Sequence, residues 1–429
     1  MSMSTDVGLS VETGVFPGHT PRLLTTRRRE GIEAYLEAGG YRPIEHPAAL
    51  YEQLELSGLR GHGGAAFPLA RKIATVRDAG TAPIVLANGE EGEPVSLKDR
   101  WLMRHRPHLV LDGLRLAAAM VGSLESYLYI SDEASADSME AALAEYPGEG
   151  WIEFDVTIHR VESSYVAGEE TAAVRSIGGG PALPSEKPPR PFESGIKGCP
   201  TLVSNVETLA NLPIIQQLGG AEFRAVGTEA SPGTFLMTLT RSGRVGLFEV
   251  PFGVSLRDVL VWLGEGSSTF RGALVGGYFA GLLGTQVLDL ALDYPVFSGA
   301  GSGLGCGAFA LLDEDVCPIS VAARVLAYFA RNNAGQCGSC FNGTAAMAGV
   351  ATALGEGRAE PSDVDRLRRW SVDLRGRGAC GTLDGATNVA ATMLREFPDL
   401  VDQHLTGSCA QCISAAGAET SPYAVDVTR

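Results

Sequence analysis

The stretch PIVLANGEEGEPVSLKDR, Pro83–Arg100, decides the fold. Pro83–Ala87 is an apolar run of strand length. Asn88 and three crowded carboxylates, Glu90, Glu91 and Glu93, follow it directly. A turn of this kind just past a strand belongs to an open α/β sheet, which binds ligands outside the carboxyl ends of its parallel strands. Glycine and proline punctuation predicts a held shape rather than a solvated acidic loop. Carboxylates held there accept hydrogen bonds from ribose hydroxyls.

The pattern recurs on both sides. SYVAGEETAAV, Ser164–Val174, again reads as strand, glycine (Gly168), paired acids (Glu169, Glu170) and helix. Upstream, GLRGHGGAAFPLARK, Gly58–Lys72, places Gly61, Gly63 and Gly64 before a helix whose positive end favours an anion. Lys72 lies one to two turns into that helix, within reach of a phosphate. The spacing is not that of the dinucleotide fingerprint, and no acidic residue ends a following strand. KPPRP, Lys187–Pro191, is a rigid extended segment presenting one lysine. In PTLVSNVETLANL, Pro200–Leu212, Ser204 and Asn205 can cap a helix. Each signal is weak alone. Five phosphate- or sugar-competent turns in one α/β domain point to a nucleotide or flavin.

The rest of the chain divides around this domain. Residues 1–46 read as a loosely ordered arm with one helix near Arg27–Glu37, and 47–218 as the α/β domain, with Trp151–Val161 as an alternating strand (Ile152, Phe154, Val156 and Ile158 inward). Residues 219–297 hold FLMTLT, an RSGR turn, VGLFEV, a serine-capped helix and ALVGG: hairpin, helix and strand, the order of a small β-grasp module. After a glycine-rich bridge at Ser298–Gly307, residues 298–405 read as helical with cysteines in the turns, and 406–429 as a mobile tail.

Within the helical part, GQCGSCFNG carries Cys337 and Cys340 at C-x-x-C spacing, with Cys380 forty residues on. Two thiolates so spaced plus a distant third suit a soft metal or iron–sulfur cluster. The competing redox-dithiol reading prefers a strand-to-helix junction in a thioredoxin-like fold.

Composition narrows the function classes. Fifty-four glycines among 429 residues, almost double the usual share, belong where backbone turns tightly or touches a ligand. A net charge of −16 excludes phosphate-backbone neutralisation and leaves room for a basic protein partner. The longest apolar run, Leu109–Ile130, is broken by Asp112, Arg115 and Glu125, so no membrane span is predicted. The start, MSMSTDVGLS, has neither a basic stretch nor an apolar core, which predicts a cytoplasmic protein, peripheral at most on a membrane complex. Eight cysteines there suggest metal or redox chemistry rather than disulfides. Only four of 34 basic residues are lysine (Lys72, Lys98, Lys187, Lys197), so a retained lysine marks a place wanting a compact ammonium.

These segments, in this order from about Ser57 to Phe397, resemble the flavin-bearing 51-kDa (F) subunit of respiratory complex I and the related diaphorase subunits of NAD-linked hydrogenases and formate dehydrogenases. The resemblance implies an α/β fold: an FMN-binding Rossmann-like domain, a ubiquitin-like β-grasp insert and a C-terminal four-helix domain with a four-iron four-sulfur cluster. By motif it assigns cofactor contacts to Gly61, His62, Gly63, Gly64, Lys72, Asn88, Glu90, Glu91, Tyr165, Gly168, Glu169, Ser204 and Asn205. Phe67, Glu90, Glu93, Glu170, Lys187 and Arg190 match positions that meet NADH, and Cys337, Cys340 and Cys380 the metal ligands. The implied activity is an FMN-dependent NADH dehydrogenase, with no acid–base residue in a catalytic role. It takes hydride from NADH, or NADPH, and passes electrons through the cluster to a thioredoxin-like two-iron subunit or a ferredoxin.

Four positions depart from the family pattern. His62 stands for an arginine, Ala66 for a glycine, and Arg190 for an aromatic residue beside the adenine. Ala334 replaces the first cysteine of C-x-x-C-x-x-C. Three thiolates leave a four-iron cluster with a non-cysteine fourth ligand, a three-iron form, a ligand from Cys409 or Cys412, or zinc shared between Cys337/Cys340 and Cys409/Cys412. The changes at His62, Ala66 and Arg190 also keep open a non-catalytic relay or assembly scaffold, and a cluster-free flavin reductase is a further alternative.

Overall fold

The computed structural model describes residues 11–79, 82–146, 155–414 and 421–425. Among the described residues, ten strands form two sheets: β1 (Glu12–Val15), β2 (Ile84–Asn88), β3 (Glu125–Ile130), β4 (Asp155–Arg160), β5 (Thr201–Asn205), β6 (Thr234–Arg241), β7 (Arg244–Pro251), β8 (Phe270–Val275), β9 (Leu282–Leu283) and β10 (Ala308–Asp313).

The first sheet has the order β4-β3-β2-β5 and is parallel throughout. Its central strands β3 and β2 are almost wholly buried, as parallel strands covered on both faces must be, and so is the edge strand β5. The helix Pro107–Val121, buried along nearly its whole length, is among the helices packed on it. The start of the expected strand at Trp151–Val161, with Ile152 and Phe154, lies outside the described residues. Over Asp155–Arg160 the strand is present, with Val156 and Ile158 half-buried.

The second sheet runs β1-β7-β6-β10-β8-β9. Strands β6 and β7 form the RSGR hairpin, whose central residues Ser242 and Gly243 both have positive φ, as a two-residue hairpin turn requires. Ser255 caps the helix Leu256–Trp262 in a reciprocal capping box with Asp258.

Four expectations are corrected. The segment before Gly168 is not a strand: β4 ends at Arg160, and Tyr165–Gly168 is a turn leading into the helix Glu170–Ile177. The sheet does not end at residue 297: β10 lies beyond that boundary and pairs with both β6 and β8, completing the sheet before the helices begin. The arm is not loose over its described part. Strand β1 pairs parallel with β7, and the buried carboxylate of Glu249 on β7 accepts the backbone N–H groups of Arg22, Leu23 and Leu24 at 2.9–3.1 Å and the Thr234 hydroxyl at 2.9 Å. Nor is the tail mobile over its described part. It forms the helix Ala410–Ser414, Tyr278 Oη donates to Pro422 O at 2.6 Å, and the Val425 N–H donates to Pro94 O at 2.8 Å.

The helices Pro318–Arg331, Gly338–Gly355, Pro361–Asp373 and Thr382–Glu396 pack together around Val325, Phe329, Met347, Leu367 and Val389. Their core is continuous with Val95 of the acidic loop and with Leu274, Tyr278 and Ala308 of the second sheet. No helix among the described residues is long and apolar enough to cross a membrane.

Glu249→Ala strands three backbone donors and is expected to destabilise the protein by about 2–3 kcal/mol in denaturant unfolding. An unchanged midpoint would show that the arm is not held by this carboxylate.

Candidate functional site

Strand order fixes where a ligand can bind. The chain steps from β2 to β3 to β4, then crosses back to place β5 on the other side of β2. Asn88 and Asn205, at the carboxyl ends of β2 and β5, are partners in register. This reversal is the switch point at which α/β sheets open a crevice. A cavity of about 510 Å³ lies there, lined by the Gly61–Phe67 loop, the Asn88–Glu93 turn, Tyr165, Gly168–Glu170 and Val203–Asn205. Gly276, Phe279, Gly305 and Cys306 close it from the second sheet, and Cys380–Thr382 from the helical domain.

The cradle requires small residues at defined points. Gly64 stands at φ +109°, where a side chain would be strained. A Cβ at Gly168 would come within 2.7 Å of Glu90 Oε2, so glycine is what lets the two turns close on each other. Ala66 adopts φ +51° where glycine would carry no steric penalty.

Charge in the cavity is arranged in two tiers. On the wall, Lys72 Nζ donates to Val203 O at 2.8 Å, and burial pulls its pKa down while Glu170 opposes. Burial pushes Glu90 up to about 7 and Glu93 up to about 8, the latter despite the Tyr278 N–H donated to its Oε1 at 2.8 Å. Glu90 Oε2 has no hydrogen-bond partner by geometry. Beneath the wall, the fully buried Lys98 Nζ lies 2.7 Å from Asp99, 2.9 Å from Glu207 and 3.3 Å from Asn205 Oδ1. Burial raises Glu207, but the charges of Lys98 and His62 outweigh it and hold this carboxyl down at about 2.

Several expected ligand residues are already engaged within the protein. Glu91 accepts from Ser96 Oγ, the Asp99 and Arg100 N–H groups and the Arg100 guanidinium, tying the acidic turn to the helix Lys98–His105. Glu169 caps the helix Glu170–Ile177 and meets Lys187 Nζ at 2.6 Å. Asn205 caps Val206–Leu218. Asn88 Nδ2 donates to Gly168 O at 2.8 Å, joining the two acidic turns. Phe67 stands exposed at the rim with the Arg71 guanidinium over its ring. Ser204 and Glu170 line the wall.

Three expected residues are not on the wall. Lys187 does not line the cavity itself and meets Glu169 and Glu170, which do. The His62 side chain is buried and turned to Glu207, 2.8 Å from its Oε1, because a charged partner lies under the loop. Arg190 is exposed, held through its backbone N–H by Glu193. Lys98, Asp99, Glu207, Thr208 and Cys306 were missed by sequence reading. Lys98 carried one usable signal, as a lysine in an arginine-rich chain.

Cys337, Cys340 and Cys380 converge on a small void with Ala334 and Pro184, the Ala379 N–H facing Cys337 Sγ at 3.5 Å. Three thiols of the kind a cluster needs therefore line one void, which Ala334 lines with them. The tail thiols do not supply it: Cys409 and Cys412 face Cys317 and His404 instead.

Both the cavity domain and the helical domain match known proteins. Residues 54–214 match the Nuo51 FMN-binding domain, and 320–404 the NADH-ubiquinone oxidoreductase-F iron–sulfur binding region. The chain is 33% identical over 390 residues to the F 2 subunit of NADH-quinone oxidoreductase in Rhizobium meliloti, covering 85% of this chain and 92% of the relative. It is 31% identical to the NADP-reducing hydrogenase subunit HndC of Solidesulfovibrio fructosivorans, covering 88% and 81%. A crystal structure of NAD+-reducing [NiFe]-hydrogenase superposes with a TM-score of 0.80 at 28% identity, over 88% of this chain and 67% of that one.

Glu90 and Glu93 make stability depend on pH. Both folded values lie above the ordinary 4.5. Their protonated forms therefore favour the fold, and that stability is complete below about 4.5 and lost as pH rises through 7 and 8. Thermal unfolding of flavin-free protein is expected to fall by several degrees between about pH 6 and pH 9, and the Glu90→Gln/Glu93→Gln pair to remove most of that fall. Parallel profiles would overturn the assignment.

Proposed function

The chain belongs to the family of NADH-quinone oxidoreductase F subunits and hydrogenase diaphorase subunits, and on that premise we propose that it oxidises NADH at a bound FMN and delivers electrons to a partner redox protein. The observation that carries this reading is Cys380, which lines both the cavity and the thiol site. Electrons arriving in the first are then one wall away from the second.

The residues fit the cofactors the family uses. The Gly61–Gly64 turn can present backbone N–H groups, and Lys72 an ammonium, to the phosphate of FMN. Asn88, Tyr165, Gly168, Ser204 and Asn205 shape the wall that would hold the ring system. Cys337, Cys340 and Cys380 would hold the cluster, its fourth corner left to a non-cysteine ligand at Ala334. Bound FMN supplies acceptance of a hydride and release of single electrons, and an iron–sulfur cluster their onward path.

The chain's own part is positioning. Phe67 offers a face for a nicotinamide or adenine ring at the rim. Glu90 and Glu93, with values near neutrality, can each accept or donate to ribose hydroxyls. Lys187 aligns the paired acids Glu169 and Glu170. The net charge of −16 supports a basic docking face on the partner, a thioredoxin-like two-iron subunit or a ferredoxin, in the cytoplasm or on the rim of a membrane complex. Arg190, an exposed guanidinium in place of an aromatic, supports testing NADPH beside NADH.

Anaerobic protein with FMN bound is expected to lose its flavin absorbance on adding NADH, with a reduced-cluster signal in electron paramagnetic resonance. Bound flavin that ignores both nucleotides would favour the relay or scaffold reading. Lys72→Ala is expected to weaken FMN about ten- to hundredfold by fluorescence titration. Ala334→Cys supplies a fourth thiolate and is expected to slow loss of iron to a chelator and to alter the resonance of the reduced protein. Identical iron loss would argue against Ala334 at the cluster.

A further inference from the structure

Away from the cavity, the C-terminal segment brings four ligand side chains to one point. Cys317 stands at the N-cap of the helix Pro318–Arg331, His404 lies in the helix Pro398–Thr406, and Cys409 and Cys412 lie at C-x-x-C spacing around the start of the helix Ala410–Ser414. Their ligand atoms all lie within 4.8 Å of one another. His404 Nε2 is 3.7 Å from Cys317 Sγ and 3.3 Å from Cys412 Sγ. A tetrahedral zinc with Zn–S of about 2.3 Å and Zn–N of about 2.0 Å sets S···N edges at about 3.5 Å and S···S edges at about 3.8 Å. The two measured edges straddle the first of these values.

The supporting contacts are those of a metal ligand set. His404 Nδ1 is 2.7 Å from Leu400 O. A carbonyl only accepts, so Nδ1 carries the proton and Nε2 turns its lone pair to the three sulfurs. The Cys412 N–H points at Cys409 Sγ, 3.4 Å away, and the backbone N–H groups of Ile319 and Ser320 turn to Cys317 Sγ. Such donors are the outer contacts usual around ligating sulfurs. Cys317, Cys412 and His404 are buried, and the surrounding core is apolar. Four donors this close enclose a single ion, because the ligands of a multi-iron cluster bind separate irons.

We propose that Cys317, His404, Cys409 and Cys412 form a closed site of three cysteines and one histidine for one structural zinc ion, separate from Cys337, Cys340 and Cys380. Three thiolates and one imidazole in a closed, buried tetrahedron are a zinc donor set, with no open position for a substrate. The ion fastens the C-terminal segment to the start of the helical domain. Beyond it that segment reaches the cavity's outer wall, where Pro422 O receives Tyr278 Oη and the Val425 N–H reaches Pro94, next to Glu93. The site is thus a staple that holds the backing of the acidic loop. The inference rests on these four residues and not on the redox reading.

The test is metal analysis of full-length protein purified anaerobically without added chelator. About one zinc per chain is expected beside the iron, and X-ray absorption at the zinc edge should fit three sulfurs and one nitrogen. His404→Ala and Cys412→Ser are expected to lose the zinc to background while flavin content stays unchanged. Should those variants fail to fold, His404→Cys, which keeps four donors, is expected to retain zinc with an all-sulfur shell. Four outcomes overturn the proposal: no zinc in the wild-type protein, a Cys409–Cys412 disulfide by mass spectrometry, iron in place of zinc at these residues, or a zinc-edge spectrum in His404→Cys that still requires the nitrogen.

Discussion

An ammonium fixed out of reach of water organises the site. Lys98 joins the helix after β2 to the start of the helix after β5, the two halves of the switch point, through Asp99, Glu207 and Asn205. Stranding either side of such a pair costs about 3–5 kcal/mol, so these segments move together or not at all. His62 adds a second contact to Glu207 from the glycine loop above. The charge of Lys98 is answered inside the protein and is not offered to a ligand. That leaves Lys72, among the described lining residues, as the ammonium that meets a carbonyl rather than a carboxylate. One lysine builds the floor and the other faces the guest.

The same division separates the carboxylates. Glu91 and Glu169 hold helix starts and a neighbouring cation, and they keep the turns in shape. Glu90 and Glu93 carry the raised values, because burial is not offset by any cation close to them. Perturbed acids lining a cavity mark where a ligand's own donors complete the hydrogen bonding. The glycine content follows from this crowding. Turns that must approach within contact distance of a carboxylate, as Gly168 approaches Glu90, have no room for a side chain.

How much was legible in the sequence depended on how local the signal was. The turns at Asn88 and Asn205 each sit inside a strand–turn–helix run of about fifteen residues, and the C-x-x-C pair declares itself in four, whereas the segment before Gly168 read as a strand and is a turn. Contacts between distant parts left no such mark. Lys98 and Glu207 lie more than a hundred residues apart, and Cys317 and His404 are 87 apart. Thus His62 read as a cofactor contact, while the structure turns it to a carboxylate no motif predicted. β1 has four residues and no alternation to reveal it, and its place is fixed by β7 and Glu249. β10 hid behind a glycine-rich bridge that looked like a domain boundary. The tail looked mobile because its small polar residues carry no periodicity, yet its cysteines and prolyl carbonyl are what dock it.

That docking gives the acidic loop three separate supports. Glu93 receives the Tyr278 N–H from the second sheet, its neighbour Pro94 receives Val425 from the tail, and Val95 enters the core of the helical domain. Tyr278 links the first two, donating its own hydroxyl to Pro422. A carboxyl held up near 8 by burial stays there only while those covering segments stay in place. Releasing the tail would admit water beside Glu93, lower its value and favour its charged form. The protonation of a residue on the cavity wall is therefore tied to how firmly the far end of the chain is fastened.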